Sequence, residues 1–540
     1  MAINWDEIQR WDPKNLNSAS RKLRELRQGL MTEADDADGA KSRIRSTGAA
    51  VEAMKASLGS LNSNLSQLVN DISELMMATA AAAEGVWDVK TKVLECTSFV
   101  AENTYLKIQG NGEVVVDLSG KYAGGSMEAK NKGKDLENLI KAALDRARDV
   151  DDAYDKRLKA VGDGTYKSSE TASSQSQGLP DLPQKGWSAT EVAAWWNALT
   201  PEEKKNIIEN HPDDIRNLDG ISANARDEAN RKVLDKELER ARHDRDELQK
   251  KVDEEGFDDD NINPYLDDKN KADKRVKDLE KIQNLMGEKE GDGSKYHLLT
   301  LDASGDKDVR AAIAMGDVDK ASNIATVVPG VGTTVRDSMD GELHKAEELR
   351  NHSGSDNTAA VAWIGYDTPD AMWSPETLGT GRADEGARSL NGFHEGIHAY
   401  RQSQGHDPHI TTVAHSYGSL TAGTAALTTK AGAVDDMVLY GSPGGRATDV
   451  HQYNVPDGHV YVSANKGDFV VGLGPDSSFG QDPAKLPGVK NIASNGGGHD
   501  DYWNNPEFAE DASQIVAGED PGVDRSDNQA EAVTKPPAKK

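Results

Sequence analysis

Nucleophilic acyl transfer needs a serine, a histidine to take its proton and a carboxylate to steady the histidine, and this chain offers Ser416, His499 and Asp468 for the three roles. Ser416 lies in Ala414-His415-Ser416-Tyr417-Gly418, after the apolar run 410–414 and before a helical stretch that reaches Lys430. A serine on a sharp strand-to-helix turn exposes its hydroxyl, and the turn wants small residues two before and two after it because the strand and helix backbones approach closely. Gly418 meets that need, whereas Ala414 adds a methyl where glycine is usual. The partners should follow in the order serine, acid, histidine. Asp468 does so in NKGDFV, just past the apolar run 460–464, and His499 in the glycine-rich loop of VKNIASNGGGHDDYW. Asp449, Asp457 and Asp476 are rival acids and His451 and His459 rival bases, all at less favourable loop positions.

The negative charge that develops on the attacked carbonyl oxygen needs backbone N–H donors. The Tyr417 N–H, next to the serine, is one candidate. The second should come from the loop after an earlier strand, and VVPGVGTT presents Gly330, Val331 and Gly332 at the start of a helix, where the dipole favours negative charge. Taken alone, that loop is equally an ordinary β-to-α turn.

A competing motif is His394-Glu395-Gly396-Ile397-His398, a literal HExxH, which on a helix puts two imidazoles on one face for zinc and a glutamate beside them as base. A catalytic zinc wants a third protein ligand. No glutamate occurs between Glu395 and Glu507, and neither Arg401 nor the spacing to His406 fits the extended histidine pattern. Leu390, Phe393 and Ile397 form the buried stripe of a crossover helix, which leaves His394 and His398 expected on an exposed flank. No metal and no other cofactor is expected.

The elements that must position these residues follow from periodicity. Residues 1–161 show apolar residues at three- and four-residue steps, as in VEAMKASLGSLNSNLSQLVNDISELM, and predict a helical bundle or hairpin. Within it, YLKIQGNGEVVVDL alternates around Asn111-Gly112 and predicts a small β-excursion. Residues 162–185 are rich in Ser, Gly and Pro and read as a linker. Residues 186–290 form a helical, cap-like segment, with a capping box at Ser188 and Glu191 and a second helix start at Thr200-Pro201. From 291 to 518, apolar runs such as YHLLTL, NIATVVPG, AAVAWIGYD, ITTVAHS and DMVLYGSPG alternate with helices. Strands apolar throughout and separated by helices predict an α/β fold, a doubly wound, mainly parallel sheet covered on both faces. In such a sheet reactive residues collect at the carboxyl ends of the strands, where Ser416 and Asp468 fall. Residues 519–540 read as a disordered tail.

Bulk properties narrow the function classes. With 92 acidic against 63 basic residues among 540, the net charge of −29 argues against nucleic acid and anionic membrane surfaces as partners. Cys96 is the single cysteine, so no intrachain disulfide forms, and an idle thiol is the expectation. No apolar run reaches membrane-spanning length, and the amino terminus lacks the basic-then-apolar pattern of a secretory signal, so the expectation is a cytoplasmic protein or one exported without a cleaved signal.

Between residues 187 and 503 the chain resembles a family of bacterial α/β-hydrolases carried under a domain-of-unknown-function label. The resemblance rests on WWNALTPEEKKNIIENHPDDIRNLDGISANARDEANR, PGVGTT, HSYGS, YGSPG and GHDDYW. It implies an α/β-hydrolase fold with Ser416, Asp468 and His499 in the triad positions. It departs at Ala414 and at the HExxH, where the family pattern is matched by Phe393 and Gly396 instead. The region 4–160 resembles helical hairpin modules of type VII secretion substrates, with Tyr166 and Glu170 at that system's tyrosine-acid spacing.

These readings converge on a serine hydrolase acting through an acyl-enzyme on a small-molecule or lipid-like ester, with a possible protein partner at the N-terminal helices. The alternative is an interaction or scaffold protein whose hydrolase domain is weakly active or inactive.

Overall fold

The computed structural model describes residues 3–117, 127–165, 182–183, 186–256, 263–287, 296–304, 308–354, 357–372 and 374–522, the side chains of Asp35, Glu102, Glu128 and Asp476 excepted. Tyr166 and Glu170, most of the 162–185 linker and the last 18 residues lie outside the described residues. The chain divides into two compact units, Met1–Lys204 and Lys205–Lys540.

The first unit is built on three long helices, α1 (Pro13–Arg43), α2 (Ala49–Glu102) and α3 (Met127–Gly162), with α2 packed against both others. Val86, Val89, Val93 and Cys96 lie on one stripe of α2, at the three- and four-residue steps that keep side chains on one face, and meet Leu136, Ile140, Ala143 and Ala147 of α3. Burial pushes the Cys96 thiol up to about 12, which keeps it protonated and unreactive near neutral pH. Between α2 and α3, residues Leu106–Ile108 and Val114–Val116 pair as an antiparallel hairpin, turning at Asn111 and Gly112, the latter with φ 87°.

The next helix, α4 (Ala189–Ala198), belongs to this same unit. Its capping serine donates to Glu84 of α2 at 3.0 Å, Glu191 pairs with Arg157 of α3, and Trp195 and Trp196 are buried. The cap-like segment expected over 186–290 is therefore not one piece. Capping signals mark where a helix starts but carry no information about what it packs on.

In the second unit, after short helices over Pro201–Asn210 and Pro212–Ile215, α5 (Ala223–Glu255) and α6 (Leu266–Gly287) pack on each other. Eight strands follow among the described residues: β1 (His297–Asp302), β2 (Arg310–Met315), β3 (Asn323–Val328), β4 (Thr358–Ile364), β5 (His409–His415), β6 (Asp436–Tyr440), β7 (Val460–Ser463) and β8 (Lys490–Asn491). They form one sheet in the order β8-β7-β6-β5-β3-β4-β2-β1. The pairs β1/β2 and β2/β4 are antiparallel and the rest parallel. Strand β4 is buried at every position, with Ala359, Val361 and Trp363 in one core and Ala360, Ala362 and Ile364 in the other. That double-sided burial is why its sequence is apolar at every position after Thr358. Helices α8 (Gly381–Ser403) and α9 (Tyr417–Ala426) supply side chains to the first core; α5, α6, α7 (Val335–His352) and α10 (Pro506–Val516) supply them to the second. The fold is the α/β-hydrolase doubly wound sheet. Among the described residues no helix is long and apolar enough to cross a membrane.

Candidate active site

Strand β5 delivers Ser416 to the start of α9 at the carboxyl edge of the sheet. Its backbone, φ 53° and ψ −128°, lies where non-glycine residues are held only under constraint. The constraint is visible on both sides. The Ser416 N–H donates to the carbonyl of Tyr440 at 3.0 Å, and the Ser419 hydroxyl donates to the carbonyl of Ser416 at 2.5 Å. Close packing of the two backbones explains Gly418: a Cβ there would lie 2.4 Å from the carbonyl oxygen of Pro329 and 2.6 Å from that of Val328. Ala414 faces no such limit, since its methyl is buried in the core on the α8/α9 side.

His499 Nε2 lies 2.8 Å from Ser416 Oγ, and its Nδ1 lies 3.0 and 2.9 Å from the two carboxylate oxygens of Asp468. The carboxylate is wholly shielded from solvent and the imidazole nearly so. A buried carboxylate needs further donors. Val470 N–H supplies one at 2.9 Å and the Tyr502 hydroxyl another at 2.7 Å. Burial and the adjacent Asp468 push the Tyr502 phenol well above its ordinary pKa, so it remains a donor. The loops carrying Asp468 and His499 are tied together as well. Asn465 donates to the carbonyl of Gly498 at 3.2 Å and accepts from Asn495 N–H at 2.8 Å, while Gly467 N–H donates to Gly497 at 3.1 Å.

His415, within the elbow, lies beside His499. Its ring centroid is 4.6 Å from that of His499 and 4.7 Å from that of Tyr440, and its Nε2 is 3.0 Å from the carbonyl of His499. Burial, followed by the charges of His499 and Lys345, holds its pKa well below the ordinary value, so it stays neutral.

Of the anticipated oxyanion donors, Tyr417 N–H sits at the first residue of α9, where helical N–H groups have no intrahelical acceptor. Gly330 abuts the serine: a Cβ there would lie 2.7 Å from Ser416 Cβ and 3.1 Å from Oγ. Its carbonyl neighbour Pro329 is anchored by the Tyr366 hydroxyl at 2.7 Å. Gly332 is not free for the role expected of it, because its N–H donates to the carbonyl of Pro369 at 2.8 Å and is already spent. Gly330 and Val331 are what remains of that loop.

The rival residues go elsewhere. His451 pairs with Asp449 at 2.8 Å and His459 with Asp436 at 2.7 Å. In the HExxH helix, His394 is not on an exposed flank. It is 1% exposed, with Nε2 3.0 Å from the hydroxyl of Thr326 in β3, and burial lowers its pKa to about 3. His398 instead pairs with Asp407 at 3.3 Å. The expectation failed because the sheet meets α8 on more than its apolar stripe: Thr326 of β3 packs against His394, beside Phe393 and Ile397.

Ser416 and His499 open onto a cleft of about 470 Å³ lined also by residues 330–333 and 370–372 and by Glu342, Lys345, Tyr440, Asp500, Tyr502 and Trp503. None of the described residues of α5 or α6 is among those lining it. The two helices pack instead on each other, on edge strand β1 and on α7.

A family model described as alpha/beta hydrolase matches residues 304–477. The uncharacterized protein Mb0988c of Mycobacterium bovis is 34% identical over 212 residues, which cover 37% of this chain and 77% of that protein. The chain belongs to this alpha/beta hydrolase family. Uncharacterized protein Rv2079 of Mycobacterium tuberculosis is 30% identical over 318 residues, 56% of this chain, and the match spans 46% of Rv2079's own length. Among solved structures, an esterase from Pyrobaculum calidifontis aligns over 51% of this chain and 96% of its own, at 16% identity and a TM-score of 0.27. The alpha/beta hydrolase MGS-M2 from a deep-sea metagenome library aligns over 41% of this chain and 98% of its own, at 11% identity and the same score. In this chain the matched segment holds Ser416 and Asp468, whereas His499 lies beyond it.

Proposed function

We propose that the protein is a serine hydrolase that cleaves an ester-type bond through an acyl-enzyme. The observation that carries this reading is the continuous relay from Ser416 Oγ through His499 to the shielded Asp468, with heavy-atom distances of 2.8 and 2.9 Å. Ser416 attacks the carbonyl while His499 Nε2 takes its proton; the oxyanion is held by Tyr417 N–H and an N–H of Gly330 or Val331. Collapse expels the alcohol, which takes the proton from His499. Water, activated by the same nitrogen, then releases the acid. Asp468 holds the ring's orientation and balances the imidazolium, and neutral His415 beside it adds no competing charge. The cleft volume suits a small substrate.

A fluorophosphonate probe tests this directly. The folded protein should acquire one covalent adduct on Ser416, found by peptide mass spectrometry, and Ser416→Ala should acquire none. A folded wild-type protein that stays unlabelled favours the alternative of an inert hydrolase domain in an interaction protein.

A further inference from the structure

We infer that the cleft selects substrates bearing a neutral, hydroxylated group, through a lysine–glutamate pair set in its wall. This rests on the hydrolase reading for turnover but adds a claim about what is bound.

Lys345 and Glu342 project from consecutive turns of α7 into the lining of the cleft that holds Ser416. The Lys345 ammonium donates to Glu342 Oε1 at 2.7 Å, and the two side chains are only 22% and 6% exposed. Burial alone would lower the lysine's pKa, but Tyr440, Glu342 and Asp500 outweigh it and hold the value above the ordinary one, so the ammonium is charged. An ammonium carries three donors, of which Glu342 takes one. The other carboxylate oxygen, Glu342 Oε2, is buried without a hydrogen-bond partner. An unmet buried acceptor costs about 1–3 kcal/mol. The wall therefore presents the spare ammonium donors to the cleft, and the unmet Glu342 oxygen beneath them comes within reach of an entering group when the carboxylate turns.

A hydroxyl can accept from the first and donate to the second. A carboxylate only accepts, an ammonium only donates, and an alkyl chain does neither. Charge points the same way. The pair is neutral in sum, and the other formal charges on the lining are the exposed Asp370 and Asp500, which repel an anion, while Lys345 repels a cation that enters deeply. A long acyl chain would leave both partners of the pair desolvated against hydrocarbon.

The test is a matched series on the full chain: glyceryl monoacetate against propyl acetate, methyl glycerate against methyl butyrate, with acetylcholine and acetoxyacetate as the charged members. At least one hydroxylated ester should exceed its alkyl match and both charged esters by tenfold or more in kcat/KM. Lys345→Met should shrink that ratio about tenfold, chiefly through KM, and Lys345→Arg should retain more of it. Thermal unfolding of both variants checks that they are folded. Equal or reversed preference in both pairs, a charged ester as the best substrate, or a ratio indifferent to Lys345→Met in a folded variant overturns the inference, while fluorophosphonate labelling of Ser416 would leave the hydrolase reading standing. If Ser416 is unlabelled and no ester turns over, the hydrolase reading fails. Calorimetric titration with glyceryl monoacetate then decides the binding claim: saturable binding weakened by Lys345→Met supports it, and no binding sinks it.

Discussion

Two regions of this molecule each carry a pair of histidines, and they rank in opposite order in sequence and in space. His394 and His398 stand in a motif whose spelling is far more diagnostic than anything around His415 and His499. In the fold, His394 is buried against Thr326 and His398 turns to Asp407, so the two imidazoles serve different neighbours. His415 and His499 are 84 residues apart, yet their rings lie 4.6 Å apart at the carboxyl edge of the sheet. Spelling fixes only spacing along one helix. Position at the ends of neighbouring parallel strands brings distant residues together, and there the polar groups are also supplied with partners.

The sharpest way to break this comparison is at the acid. Asp468→Asn keeps the shape and most hydrogen bonds but removes the charge that balances an imidazolium and selects the His499 tautomer. If the strand-end pair does the chemistry, ester hydrolysis should fall by about 10³–10⁴ in kcat, as loss of that role does in serine hydrolases generally. Thermal unfolding should show the variant folded. A decline of less than tenfold would mean that Asp468 is only a structural carboxylate and would remove the reason to rank this region above the helix.

How far each region was legible follows from the kind of information it needs. Doubly buried strands such as β3 to β6 announce themselves because burial on both faces favours apolar residues on successive positions rather than alternate ones. Ser416, Asp468 and His499 were readable from strand-then-loop order. Tyr502 stands in GHDDYW, but its hydrogen bond to Asp468 spans 34 residues and leaves no local pattern. Glu342 and Lys345 look like one more surface pair on α7 until the sheet turns that side of the helix toward the cleft. The burial of His394 is hidden for the complementary reason: amphipathicity reports an apolar stripe and says nothing of a polar side chain beside it that finds a partner such as Thr326 on the sheet. Gly332 was offered as an oxyanion donor because loop position does not reveal that Pro369 takes its N–H.

A second experiment sharpens the comparison from the helix side. His394→Ala should destabilise the protein by about 2–4 kcal/mol through the cavity it leaves, with little change in activity per folded molecule. The pH dependence gives the signature. In the native protein His394 stays neutral down to about pH 3, whereas the unfolded chain protonates it below about 6.5. Between those values the unfolded state binds the extra proton, so wild-type stability falls as pH falls, by up to about 1.4 kcal/mol per pH unit from this group. The variant lacks that component. Urea unfolding at pH 7 and pH 5 should show the gap between wild type and variant narrowing on acidification. A gap that stays constant, or an activity loss at pH 7 without loss of stability, would return a functional role to the HExxH helix.

The smallest effect is expected at Ala414→Gly, the position where the elbow departs from the usual glycine. The departure matters only if the methyl strains the turn. The geometry distributes the steric burden unevenly: Gly418 faces backbone oxygens at 2.4 and 2.6 Å, while the Ala414 methyl sits in the core with Leu420 and Leu439. Replacing it should therefore cost about 1–2 kcal/mol of stability, from one buried methyl and added backbone freedom. kcat should change by no more than about threefold, read as the deacylation and acylation rates on one chromogenic ester. A tenfold gain would mean that alanine does weaken the elbow, and that the strand-end site was tuned down in this chain at the one residue where its spelling departs from the usual pattern.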